Sequence, residues 1–72
     1  MGRIFKLKNR GRAIRSEEDY RNVIHIPPSA IVVLVEGNID EDPFVKIRYH
    51  GRVLLMLAED LRSGGELWGQ TA

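Results

Sequence analysis

The stretch FVKIRYHGRVLLML, residues 44–57, decides how the fold of the whole chain is interpreted. Apolar and charged side chains alternate through FVKIRY, which is typical of a half-buried strand with one face in water. His50-Gly51 separates this run from a second apolar run, and both residue types tolerate the positive φ angles of a tight turn. The stretch therefore predicts a β-hairpin in which RVLLML is the returning strand.

Other segments upstream also have the composition of strands. AIVVLVE (30–36) is rich in β-branched residues and ends at a glycine, and RIFKLK (3–8) alternates apolar and basic side chains. VIHI (23–26) suits an extended segment and must end at Pro27-Pro28, because proline has no backbone N–H to donate. RAIR (12–15) is open to two interpretations, a second short strand or the near side of a long loop.

The segment RVLLMLAEDLRSGGELW, residues 52–68, also allows two interpretations. Leu54, Leu57 and Leu61 recur at helical spacing. A helix over this segment would place Glu59 and Asp60 in its C-terminal half, against the macrodipole. We therefore predict a strand over 52–57, a short 3₁₀ turn near AEDL and a last strand at ELW.

This order of elements resembles the SH3-like small β-barrel, across residues 3–68. RIFKLK resembles its first strand, residues 9–28 its long RT loop, AIVVLVE its second strand and NIDEDP its n-Src loop. The hairpin over 44–57 resembles the third and fourth strands about the distal turn, and ELW resembles the closing strand. The resemblance implies an all-β fold: one domain over residues 1–72, with a barrel of about five strands and one short 3₁₀ turn.

Peptide-binding SH3 domains hold proline-rich ligands on an aromatic groove, and this chain departs from that pattern. Tyr20 lies in the long loop, and Phe44 stands where such a domain has a tryptophan. In the 3₁₀ turn, Ala58 replaces the proline and Leu61 replaces the tyrosine. The departures argue against recognition of proline-rich peptides.

Length and composition narrow the class of protein further. A chain of 72 residues buries only about 60% of its unfolded surface, and without cysteine it has no disulfide to help stabilise it. The N-terminus lacks the apolar core of a signal peptide, and the longest apolar run is far shorter than a membrane span. We therefore expect a soluble cytoplasmic protein with no membrane partner.

The residues with catalytic or metal-binding chemistry are scattered along the chain. The two histidines fall in different elements, and adjacent carboxylates on one loop do not make a cation cage. The serines lack a nucleophile-elbow setting, and Gly64-Gly65 precedes no helix that could hold phosphate. We expect no enzyme activity, no metal site and no cofactor.

Charge is distributed unevenly, although the net formal charge is only +1. Six basic residues precede the first carboxylate, Glu17, and the rest of the chain has ten acidic and five basic residues. Either the two parts neutralise each other in the folded domain, or the basic arm binds a nucleic-acid backbone. The candidate contacts for nucleic acid are Lys6, Lys8, Arg10, Arg12, Arg15, Lys46 and Arg48.

Two strands have apolar side chains on both faces, although a small barrel has a single interior. Either bending strands pack both sets inside with help from Trp68, or one set forms an exposed patch for a partner. The candidate interface residues are Val32, Phe44, Leu54 and Met56. We accordingly predict a non-catalytic binding module whose partner is a protein or a second copy; nucleic-acid binding through the basic arm is the alternative.

Overall fold

The computed structural model describes residues 2–16, 18 and 20–70. Its elements, in chain order, are β1 (Arg3–Leu7), β2 (Gly11–Ile14), β3 (Ile24–Ile26), β4 (Ile31–Glu36), β5 (Phe44–Tyr49), β6 (Arg52–Leu57), α1 (Ala58–Gly64) and β7 (Gly65–Gln70).

All seven strands belong to one antiparallel sheet, with the order β3-β2-β6-β5-β4-β1-β7. The all-β prediction is confirmed. The closed barrel of about five strands is not, because β3 and β7 form open edges in the part of the chain that the structure describes. The two additional strands, β2 and β3, come from the segment predicted as a long loop, where Gly11 to Ala13 pair with Ile24 to Ile26.

The predicted hairpin over residues 44–57 is confirmed. Its register runs from Phe44 opposite Leu57 to Tyr49 opposite Arg52. His50 and Gly51 have φ angles of 52° and 76°. Both central residues therefore have the positive φ that a two-residue turn matched to strand twist requires.

The predicted 3₁₀ turn is not confirmed, since Ala58–Gly64 forms a seven-residue α-helix. The helix begins at Ala58 rather than in the preceding strand, so Glu59 and Asp60 lie in its first turn. There the negative charge of a carboxylate interacts favourably with the positive end of the helix macrodipole. Ala58 and Leu61 are almost fully buried and attach the helix to the sheet.

The helix leads directly into β7 through Gly65, whose N–H donates to the carbonyl oxygen of Leu61. A Cβ atom at Gly65 would lie 2.5 Å from that oxygen. The junction therefore requires glycine because of this close approach rather than because of an unusual φ angle.

Alternating residues of the strands form the inner face of the sheet. Val45 and Ile47 of β5, which lie on the face that alternation predicts, are almost completely buried. The hydrophobic core is made up of Phe5, Leu7, Ala13, Ile26, Val32, Leu34, Val45, Ile47, Leu54, Met56, Ala58 and Leu61.

Candidate docking groove and charged surfaces

The four residues predicted as an exposed interface do not lie together. Val32, Leu54 and Met56 belong to the core, with relative exposures of 0%, 4% and 0%. The prediction of an exposed patch on these three residues is therefore wrong. On β4 and β6 the residues adjacent to these three face outward. Bending of the strands therefore does not bury the apolar side chains of both faces. Phe44 alone is exposed, at 38%.

Phe44 forms one wall of an apolar groove of about 170 Å³. Leu57 lies directly opposite Phe44 in the β5–β6 register. Tyr20 and Val23, from the segment joining β2 to β3, form the other wall and are well exposed. The described residues that line this apolar groove are Arg12, Ala13, Ile14, Tyr20, Val23, Phe44 and Leu57.

The sequence contained a signal for one wall of the groove but not for the other. A two-residue turn at His50-Gly51 fixes Phe44 opposite Leu57, so this pair could have been found by counting back from the turn. The approach of Tyr20 and Val23 depends on β2 pairing with β6 at Ala13 and Ile14, and no local pattern predicts that pairing.

Arg12, at the rim of the groove, is bound to Asp60 of α1. One Asp60 carboxylate oxygen accepts from the Arg12 backbone N–H at 3.0 Å and from Nε at 3.1 Å, and the other accepts from the guanidinium at 3.1 Å. These side-chain hydrogen bonds are the main reason that the pKa of Asp60 is lowered and the pKa of Arg12 is raised. The contact links β2 to α1. It also means that Arg12, which we predicted as a nucleic-acid contact, is ion-paired within the domain.

On its other side, Phe44 borders a second concavity of about 370 Å³, the acidic cleft. Its lining includes Glu36, Asp42 and Lys46. The ammonium of Lys46 lies 3.2 Å from a carboxylate oxygen of Glu36, so a second cation of the predicted nucleic-acid set is ion-paired. The charged groups that line the cleft therefore sum to one negative charge.

The other predicted nucleic-acid contacts are not brought into one patch. Lys8 and Arg10 lie between β1 and β2, whereas Arg15 follows the far end of β2. Lys6 lies on the outer face of β1, with its ammonium 5.1 Å from the centroid of the exposed Trp68 ring. Arg48 projects from the outer face of β5, opposite Val53.

Arg15 instead lies near two arginines, Arg21 and Arg52, that are not among the predicted nucleic-acid contacts. Arg15 and Arg21 line a concavity of about 360 Å³, and Arg15 and Arg52 line another of about 510 Å³. Ile24 lines both concavities, which therefore adjoin. We call Arg15, Arg21 and Arg52 the arginine cluster. It joins residues far apart in the chain, so it could not be found without the pairing of β2 with β6.

Within the described part of the chain, no group of three or more His, Asp or Glu side chains could hold a metal ion. The same residues include no helix that is long and apolar enough to cross a membrane.

Comparison of the chain with protein-family models, with curated proteins and with solved structures finds no match in any of the three.

Proposed function

We propose that the protein is a non-catalytic interaction module whose apolar groove binds one bulky apolar side chain of a partner protein. The observation that carries this proposal is the exposure of Tyr20, Val23 and Phe44 around a single concavity. Their relative exposures are 61%, 46% and 38%. Large apolar side chains scattered singly on a surface are ordinary, whereas several that line one concavity are typical of a binding site.

The size of the groove favours a side chain over a small-molecule substrate. Its volume of about 170 Å³ is below the roughly 300–1,000 Å³ of most ligand pockets. An aliphatic or aromatic side chain fits such a volume and would displace water from the apolar walls. Since Phe44 and Leu57 lie on the outer face of the sheet, the partner residue would approach from that face.

The acidic cleft on the other side of Phe44 suggests which type of partner residue lies next to the bound apolar side chain. Its lining charges sum to one negative charge, because Lys46 offsets only one of the two carboxylates. A partner segment with a Lys or Arg next to its apolar anchor would complement both concavities across Phe44.

A further observation supports this proposal. The pKa shifts of Arg12 and Asp60 favour the charged form of both groups, whereas a catalytic acid or base needs a pKa near the working pH.

The order of the strands supports a second proposal, which concerns the fold. The five segments that resemble an SH3-like barrel are consecutive neighbours in the sheet, in the order β7, β1, β4, β5 and β6. We propose that the fold is a member of that barrel class in which β2 and β3 occupy the long loop.

Selection of peptides from a random displayed library against the folded protein tests the proposed function. We expect enriched peptides with a bulky apolar residue beside a basic one, and loss of their binding in Phe44→Glu. Ile31→Glu is the matched control, because Ile31 is also exposed, at 46%, but does not line the groove. The proposal fails if no peptide is enriched, or if the enriched peptides bind Phe44→Glu as well as they bind the wild type.

A further inference from the structure

The arginine cluster lies at the end of the sheet where β2 ends and where β3 and β6 begin. Arg15 follows β2, Arg21 lies in the segment that leads to β3, and Arg52 is the first residue of β6. Because β2 is antiparallel to β6, this arrangement brings the end of one strand beside the start of the other. Two cations from one segment and a third from a distant part of the chain thus converge around Ile24.

None of these three guanidinium groups forms an ion pair with a described residue. Arg21 instead contacts an aromatic ring, since its guanidinium lies 5.8 Å from the Tyr20 ring centroid. The described residues that line the two concavities include no Asp or Glu. Within the part of the chain that the structure describes, the cluster therefore differs from Arg12 and Lys46, each of which is paired with a carboxylate.

The cationic surface continues from the cluster onto the outer face of β5. Val53, which lines the concavity between Arg15 and Arg52, is exposed and lies directly opposite Arg48. A series of arginines separated by concavities suits a ligand with several negative charges along its length better than one small anion. Guanidinium groups pair well with phosphate oxygens because their donors form a planar fork.

We infer that the arginine cluster, extended by Arg48, is a binding site for the phosphodiester backbone of a nucleic acid. The site goes beyond the proposed docking of a partner protein and lies outside the apolar groove, although Val23 borders both. It also replaces most of the basic arm as the nucleic-acid surface: of the seven cations predicted from the sequence, it retains Arg15 and Arg48.

The acidic residues between Arg15 and Arg21 in the sequence limit the expected affinity. Residues 15–21 contain two arginines and three carboxylic acids, so their formal charge is −1. Glu18 is exposed and lines neither concavity. We therefore expect weak binding at physiological salt that strengthens steeply as salt is lowered, as is typical of a few phosphate contacts.

Fluorescence anisotropy with labelled single-stranded and duplex oligonucleotides, over a range of salt concentrations, tests the inference. The double variant Arg15→Gln/Arg52→Gln should bind about tenfold more weakly, and loss of two contacts should lower the salt slope by about 1.4 for a single strand. The matched control is Lys8→Gln/Arg10→Gln, which removes the same charge from the other end of β2 and should bind as the wild type does.

Two results would overturn the inference. One is the absence of binding by the wild type at low salt, and the other is an equal loss in both double variants, which would mean that only net charge matters. Arg21→Gln provides a check against misfolding, because Arg21 is exposed in a loop and its removal should weaken binding without changing the thermal midpoint. Failure here is distinguishable from failure of the proposed function, because peptides selected on the groove should bind both double variants.

Discussion

The sheet contains two regions that are built differently. The central meander, β4 with β5 and β6, has a continuous β5–β6 register from Phe44 to Tyr49. Among the described residues, the side hairpin, β2 with β3, pairs with the rest of the sheet at Ala13 and Ile14, which lie beside β6. Yet it is the side hairpin and its connecting segment that supply one wall of the apolar groove and two arginines of the cluster.

This difference separates stability from binding. The meander contributes long ladders and completely buried side chains, so we expect its opening to require global unfolding. The side hairpin is attached by few backbone pairs and by the Arg12–Asp60 contact, and such peripheral segments open at lower free energy. Binding residues are often found on weakly attached segments of this kind that a rigid scaffold positions.

The largest expected effect comes from a matched pair of cavities, Ile47→Ala in the meander and Ile26→Ala in the side hairpin. Both isoleucines have 0% exposure, so the same atoms are removed from equally buried sites. Ile47→Ala should lower the free energy of unfolding by about 2–5 kcal/mol, which is a large part of the stability of so small a domain. Urea titration followed by circular dichroism measures this loss.

Ile26→Ala should lower the free energy of unfolding by less, because the side hairpin can unfold locally while the meander stays folded. Amide hydrogen exchange distinguishes the two cases: protection should fall across the whole sheet in Ile47→Ala but mainly in β2 and β3 in Ile26→Ala. Equal stability losses with the same exchange pattern would show that the two regions unfold as one unit and that the side hairpin is not attached more weakly.

A smaller effect is expected from Asp60→Asn, which weakens the attachment of the side hairpin to α1. The pKa of Asp60 is lowered in the folded protein, chiefly by the Arg12 hydrogen bonds, so the folded state binds fewer protons than the unfolded state does. The carboxylate therefore stabilises the fold above its unfolded pKa of about 3.9, and this contribution is lost as pH falls through the lower folded value.

Urea midpoints measured from neutral pH down to below pH 4, a range that spans the unfolded pKa of about 3.9, test this prediction. The acid-induced loss of stability should be shallower in Asp60→Asn than in the wild type, and the neutral-pH loss should be smaller than in Ile47→Ala. Glu36→Gln is the control, because Glu36 and Lys46 form an ion pair in which both side chains are mostly exposed. If Glu36→Gln flattens the acid dependence as much as Asp60→Asn does, the Arg12–Asp60 contact has no special role.

The sequence predicted the meander better than it predicted the side hairpin, for a physical reason. The alternation in FVKIRY and the His50-Gly51 turn are local signals, and together they set both the faces and the register of β5 and β6. The pairing of β2 with β6 joins residues that are more than forty positions apart, and short segments such as GRAI have no periodicity that identifies their partner.

The same reasoning explains which site residues could be found. Phe44 was selected because an aromatic residue on an outward-facing strand position is visible in the sequence. Arg12 and Lys46 were predicted as nucleic-acid contacts, but their pairing with Asp60 and Glu36 depends on tertiary contacts that no local pattern shows. Arg52 lies near Arg15 only because β2 and β6 are neighbours in the sheet. Half of the arginines of this surface therefore could not be identified from the sequence.

The smallest expected change in stability comes from two substitutions at positions that are equally exposed but lie in different regions of the molecule. Val23 of the groove and Ile31 of β4 are both β-branched and both 46% exposed. Val23→Ser and Ile31→Ser should therefore each change the free energy of unfolding by no more than about 0.5 kcal/mol. Only Val23→Ser should weaken the binding of peptides selected on the groove, because only Val23 lines it. If Ile31→Ser weakens that binding equally, the partner lies across the meander, and the side hairpin is not the region that carries recognition.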